Sequence, residues 1–402
     1  MTEKLALHDP ATYAHGFPYE YYRHLRDEDP VSHFDHPVWE RGYWALARHA
    51  DVQQASRDTH AFCNAPNPFL EAGAANEQSG TSALLISLDG NEHLQLRKLI
   101  NRGFTPRRVA DLEDRIRKRT DSIIDSLAGN SSCDLVADVA LWLPLHVIAD
   151  LVGVPEVDRR KVFEWTEMTF GFDASVTSEQ RGEAAVAMYQ YADAMCEERR
   201  TTPCDDLMSV LLAAEVDGEK LTQMQIDLFF MLLQNAGSET TRNLITSGTL
   251  ALLQQPEQLD RVRADLSLLP VAIEELLRFV TPVMQFTRTA VTNTELGGQP
   301  IAAGDRVLLV YSSANRDERA FPIPDCVDVA RTPNDHVAFG AGGPHFCLGA
   351  SLARLEAKEM FEAILTRFEG LAVAADPGEL PRVNSSLIDG FSHLPVSWNA
   401  LH

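Results

Sequence analysis

The chain has 402 residues, with 35 lysines and arginines against 58 aspartates and glutamates, for a formal charge of −23. Such a balance argues against nucleic acid and anionic membrane as partners and suits a neutral or apolar ligand. No apolar run is expected to reach the ~18 residues of a membrane span, and the start MTEKLALHDPATYAHGF lacks the charged and apolar regions of a signal peptide, so a cytoplasmic protein is expected. Without a repeat, low-complexity tract or Ser/Gly linker, residues 1–402 are expected to form a single domain.

In chain order, GYWALARH (42–49) is the first stretch with the aromatic and β-branched content of a strand. From Pro106 to Leu269 apolar residues recur at three-to-four spacing, interrupted by AGNSS and VGVPEVD, which predicts mostly helix. The longest predicted helix, LTQMQIDLFFMLLQNAGSETTRNLITSGTLALLQQP, opens with a capping box of Thr222 and Gln225 and runs without proline to Gln255. Midway, NAGSETT places Gly237 and the polar Glu239, Thr240 and Thr241 in an apolar segment, which predicts a kink. A second helix, PVAIEELLRFV, starts at Pro270 and carries Glu275 and Arg278 three residues apart. QFTRTAVTNTELGGQPIAAGDRVLLVY and the tail SSLIDGFSHLPVSW return to strand character. The expected architecture is mainly α with a small β portion.

The six cysteines are Cys63, Cys133, Cys196, Cys204, Cys326 and Cys347, and none lies in a C-x-x-C or other zinc spacing. Five are expected to be buried hydrophobes. Cys347 differs. In HVAFGAGGPHFCLGASLARLEAKEM it sits just before a helical pattern (Leu348, Leu352, Leu355), where helix dipole and free N–H groups favour thiolate. Gly342, Gly343 and Gly349 around it would let a large flat ligand approach the backbone. Neither a Cys/His nucleophile, for which no oxyanion-hole motif is evident, nor an iron–sulfur cluster, which needs several cysteines, suits this stretch. A single thiolate ligand to haem iron does.

FGAGGPHFCLG resembles the F-x-x-G-x-(R/H)-x-C-x-G signature of the cytochromes P450, with Phe339 one residue further from Cys347 than the commonest spacing. The longer loop is similar to that of bacterial sterol and branched-lipid hydroxylases. Other pieces follow in family order over nearly the whole chain: HLQLRKLINRGFTPRRV, AGSETT, EELLR and CVDVAR. The resemblance implies the P450 fold, with haem b between the long central helix and the helix after the cysteine loop, and dioxygen as co-substrate.

By the same resemblance, Cys347 is the metal ligand, His93, Arg97, Arg288 and His345 contact the haem propionates, and Phe339 and Gly349 border the haem. Gly237 leaves room for dioxygen, Thr240 (with Thr241 as the fallback) holds a proton beside the reacting oxygen, and Glu239 relays protons from water. Glu275, Arg278 and Arg331 form a structural ion network. The substrate pocket would be lined by Phe69, Leu84, Leu85, Phe170, Phe172, Met231, Val283, Met284, Phe286, Leu387, Ile388 and Phe391. This composition suits a bulky lipophilic substrate such as a steroid or terpenoid, while Glu164, Glu167 and Asp173 are read as solvated.

A monooxygenase inserting one oxygen atom into a C–H bond is therefore expected, as a monomer taking two electrons from a ferredoxin and its reductase. Between Arg97 and Arg119, nine basic residues against Asp111, Glu113 and Asp114 form the expected docking face, with Arg102 and Arg108 at its centre. A peroxide-using peroxygenase of the same fold, or a non-enzymatic haem sensor, would not need the acid and alcohol of Glu239 and Thr240.

Overall fold

The computed structural model describes residues 4–70, 81–170, 176–216 and 218–402. Phe172 and Asp173 lie outside these residues, as do the side chains of Arg102 and Phe170.

A five-stranded sheet gathers both ends of the chain. Val31–Phe34 pairs antiparallel with Tyr43–Leu46, which runs parallel to Arg306–Val310; that strand pairs antiparallel with Gln285–Ala290, and Phe62–Cys63 closes the far edge. Arg306–Val310 is buried at every position, as an interior strand covered on both faces should be. The tail contributes Pro395–Ser397 to a small sheet between Ala372–Val373 and Ser132–Asp134.

The remainder is chiefly helical, as the sequence pattern predicts for residues 106–269. The central helix spans Gln223–Leu253, 31 residues and about 47 Å. Its expected capping box is present: Thr222 Oγ1 accepts from the Gln225 N–H at 3.3 Å, and the Gln225 side chain accepts from the Thr222 N–H at 2.9 Å. From Thr241 to Leu252 every residue is buried, so this half is an all-round core helix. The expected kink at Gly237 does not interrupt it. The helix crosses Ala350–Arg367 so closely that a Cβ on Gly248 would meet Phe361 Cζ at 2.7 Å. Leu244, Leu276, Leu277 and Ala357 complete that contact.

Two sequence expectations need correction. Leu135–Val152 is long and apolar enough to cross a bilayer, with a mean hydropathy of 1.8, but 67% of it is buried inside the fold. It packs on the central helix, and core burial explains its apolarity. Of the five cysteines expected to be buried, only Cys196 is; Cys63 and Cys133 are half-buried, and Cys204 and Cys326 are exposed in connecting loops.

Candidate active site

The cysteine loop is fixed before any ligand is considered. The Cys347 N–H donates to the Phe339 carbonyl at 2.9 Å, so the extra residue is absorbed in a turn that Gly340 closes at φ +90. Gly342 and Gly343 also have φ of +92 and +84. A Cβ on either would strike the helix His49–Arg57, at 2.8 Å from Arg57 Nε and 2.5 Å from the Ser56 carbonyl respectively. These two glycines therefore serve loop packing, contrary to the expectation that they admit a ligand. Gly349 alone fits that role, since an added Cβ there meets nothing within 4 Å.

Cys347 is exposed by surface area yet closely walled by protein. Burial pushes its thiol up, and the Gly349 N–H, Arg97 and Arg354 offset this only in part. Desolvation thus works against the thiolate that the helix terminus is expected to favour.

Beside the thiol the structure brings together four expected groups. Arg97 donates to the Phe346 carbonyl, and the His93 and His345 ring centres lie 4.2 Å apart with the rings tilted by 30°. Buried Arg288 donates to the Thr287 carbonyl at 2.9 Å and touches Tyr311. Neither guanidinium has a carboxylate partner among the described residues. His93 is 1% exposed, and its Nε2 is buried without a hydrogen-bond partner among the described residues. Burial, with His345 and Arg97 adding, pushes His93 down to about 4.

Sequence reasoning missed Asp89, which lies 3.1 Å from His345 Nε2 and accepts the Asn64 and Ala65 N–H groups at 2.8 and 2.9 Å. It fixes the His345 ring. Two guanidiniums and two imidazoles, one with an orphaned nitrogen, next to an accessible thiol fit a flat ligand bearing a metal and two carboxylates, as haem does.

On the central helix, Thr240 is half-exposed and its hydroxyl donates to the Ala236 carbonyl at 3.1 Å, whereas Thr241 is buried. Gly237 has a packing reason the sequence did not reveal: a Cβ there would lie 2.5 Å from Ile148 Cδ1 on the neighbouring helix Trp142–Val152. Glu239 is 6% exposed and ion-paired with Arg242. Burial raises it to about 7, with Arg242 opposing and Glu167 adding to the rise. Glu167 is half-exposed. Glu164 is exposed and paired with Arg160 at 3.0 Å, as expected of a surface residue.

Glu275 and Arg278 are fully buried and joined by two 2.7 Å hydrogen bonds, and Arg331 reaches Glu275 at 3.0 Å. Arg278 also binds the Asn315, Pro324 and Cys326 carbonyls, and Arg331 that of Pro322, so the network ties down the segment leading to the cysteine loop. A neighbouring bridge was not legible in the sequence. Glu274 accepts from Arg354 at 2.6 and 2.7 Å and lies 3.1 Å from His336, joining this helix to the one after Cys347. Phe339 is held beneath Arg354, whose guanidinium lies 4.5 Å from the ring centre.

Of the expected pocket residues, Phe69 and Phe286 approach to 6.0 Å and are half-buried, as are Leu84, Leu85, Met231, Val283 and Leu387. Met284, Ile388 and Phe391 are 0%, 5% and 3% exposed. Met284 points into the N-terminal core beside Leu7 and Tyr13, and Phe391 into the main core under Arg382. The basic segment is partly spent in ion pairs. Arg108 binds Asp205, Arg117 binds Glu359 and Glu113, and Arg119 binds Glu156. Lys98, Arg107, Arg115 and Lys118 remain exposed and make no ion pair among the described residues.

A sequence profile of the cytochrome P450 family matches residues 145–382. A methyl-branched lipid omega-hydroxylase of Mycobacterium tuberculosis is 40% identical over 393 residues, covering 93% of this chain and 90% of its own length. A steroid C26-monooxygenase of Mycolicibacterium smegmatis is 37% identical, covering 95% and 90%. A solved Mycobacterium marinum cytochrome P450 in complex with pseudoionone superposes at a TM-score of 0.90 with 34% identity, covering 98% of this chain and 99% of that one. A cysteine loop clamped at Phe339, two guanidiniums and two imidazoles beside the thiol, and a buried acid next to a half-exposed threonine accord with these likenesses: the chain belongs to the cytochrome P450 family, and is a haem b monooxygenase that uses dioxygen and incorporates one of its oxygen atoms.

Proposed function

We propose that this protein hydroxylates a bulky, lipophilic, sterol-like or branched-chain molecule in the cytoplasm, using electrons from a ferredoxin and its reductase. The observation that carries the reading is the cluster of two guanidiniums and two imidazoles beside Cys347. Arg97, Arg288, His93 and His345 would hold the two propionates, and Cys347 would ligate the iron through its sulfur. When bound, the haem supplies oxygen activation, and the thiolate's electron donation favours O–O cleavage.

The chain's own residues do the rest. Thr240 holds a proton at its hydroxyl, and Glu239, kept near neutrality by burial, is an acid matched to proton delivery at physiological pH. The half-buried Phe69, Val283, Phe286 and Leu387 would exclude water and receive an apolar ligand. Names of relatives that act on lipids and steroids support this substrate class. The exposed Lys98 and Arg107, close in sequence to the helix that reaches the cysteine loop through Arg97, offer a face for an acidic electron donor.

Turnover with ferredoxin, its reductase, NAD(P)H and a panel of steroids and branched lipids tests the proposal. A ligand that shifts the Soret band and yields product with one oxygen added is expected. Turnover only with hydrogen peroxide, or spectral binding without product, would overturn it.

A further inference from the structure

Asp89 immediately precedes the helix Gly90–Ile100, which carries His93 and Arg97, and aspartate is among the side chains best suited to cap a helix N-terminus. Yet its carboxylate makes no capping bond to that helix. Both oxygens are engaged elsewhere. One lies 3.1 Å from His345 Nε2 in the cysteine loop, and the other accepts the Asn64 and Ala65 N–H groups at 2.8 and 2.9 Å.

Asn64 and Ala65 open the segment that brings the Phe69 ring centre to 6.0 Å from that of Phe286. Its carbonyl groups are held from the other side. Thr289 Oγ1 donates to that of Ala65 at 2.6 Å, the Thr287 N–H to that of Pro68 at 2.7 Å, and Arg306 to that of Asn67 at 2.9 Å. Asp89 thus supplies the acceptor for the first two N–H groups of a segment whose carbonyls the sheet holds. A carboxylate can serve both sides because each oxygen accepts and neither donates, whereas an asparagine has a single accepting oxygen.

We propose that Asp89 is a positioning residue that ties the seat of the cofactor to the wall of the substrate pocket. One oxygen fixes the His345 ring that would contact a haem propionate, and the other fixes the segment Asn64–Leu70 that presents Phe69. This inference rests on the reading of His345 as a propionate contact and of Phe69 as a pocket wall.

The test compares two Asp89 variants as folded, haem-loaded proteins. In Asp89→Ala, hydrogen exchange of the Asn64 and Ala65 amides and transfer of haem to excess apomyoglobin should each quicken by about tenfold. Binding of clotrimazole, a bulky apolar azole followed by its Soret shift, should weaken by about threefold or more. In Asp89→Asn the carbonyl oxygen still accepts both amides while the NH2 group cannot accept from His345, so exchange and clotrimazole affinity should return to within about twofold of wild type. Haem transfer should stay fast in that variant. A side chain that merely supports the fold would not divide its effects in this way. Wild-type exchange or clotrimazole affinity in Asp89→Ala, exchange as fast in Asp89→Asn as in Asp89→Ala, or wild-type haem transfer in Asp89→Asn overturns the inference alone, provided that His345→Gln hastens haem transfer. Wild-type transfer in His345→Gln overturns the propionate contact and the inference with it.

Discussion

Replacing Glu274 by glutamine isolates the bridge between the Glu275 helix and the cysteine helix. Burial pushes Glu274 up, yet Arg354 and His336 hold it down at about 2, against an ordinary value of 4.5. At about 1.4 kcal/mol per pH unit this corresponds to roughly 3 kcal/mol. The Glu274 side chain is 28% exposed and that of Arg354 37%, so solvent screening reduces the expectation to about 2 kcal/mol. Because the folded value is depressed, this stabilisation is complete above the unfolded value and is lost as pH falls towards the folded one. Urea unfolding of the haem-loaded protein should therefore show Glu274→Gln about 2 kcal/mol less stable at neutral pH. The gap should narrow as the medium is acidified from about 4.5 towards about 2. A double-mutant cycle with Arg354→Met should recover most of the difference as coupling. A gap below about 0.5 kcal/mol at neutral pH, within the range of ordinary surface substitutions, or a gap indifferent to pH, would refute the reasoning.

Cys347→Ser should lose the red-shifted Soret band of the reduced, carbon-monoxide-bound protein, and persistence of that band would remove Cys347 as ligand. Thr240→Ala should still bind substrate and consume NAD(P)H but release mostly hydrogen peroxide, as read by product and peroxide assays. Gly237→Ala should destabilise the fold by about 1–3 kcal/mol through its clash with Ile148, and Ile148→Ala should relieve part of that loss in thermal melts. Reversing Lys98 and Arg107 to glutamate should slow iron reduction by ferredoxin and flatten its salt dependence, while the substrate-induced Soret shift stays unchanged; stopped-flow reduction checks this.

What the sequence disclosed were groups whose chemistry is local. Cys347, Phe339 and His345 lie within one loop, Glu275 and Arg278 within one helical turn, and Thr222 and Gln225 within one cap, so spacing alone relates them. Groups whose meaning depends on a distant partner stayed hidden. Glu274 meets His336 and Arg354 only after 62 and 80 residues of chain, and Asp89 meets His345 after 256. The glycines misled for a related reason: Gly237, Gly342 and Gly343 lack side chains because Ile148, Arg57 and Ser56 occupy the space.

The clamp on the cysteine loop also bears on the order in which the molecule assembles. Ser56 Oγ donates to the Gly342 carbonyl at 2.9 Å and Arg57 Nε to that of Ala341 at 3.0 Å, across 286 and 284 residues of chain. Closing loops of that length is entropically slow, and contacts of such sequence separation raise contact order and delay folding. During synthesis the helix His49–Arg57 emerges long before its partner loop exists. The cysteine loop can therefore gain this clamp only once its own residues have emerged, 284 and 286 residues of chain after the helix that holds it.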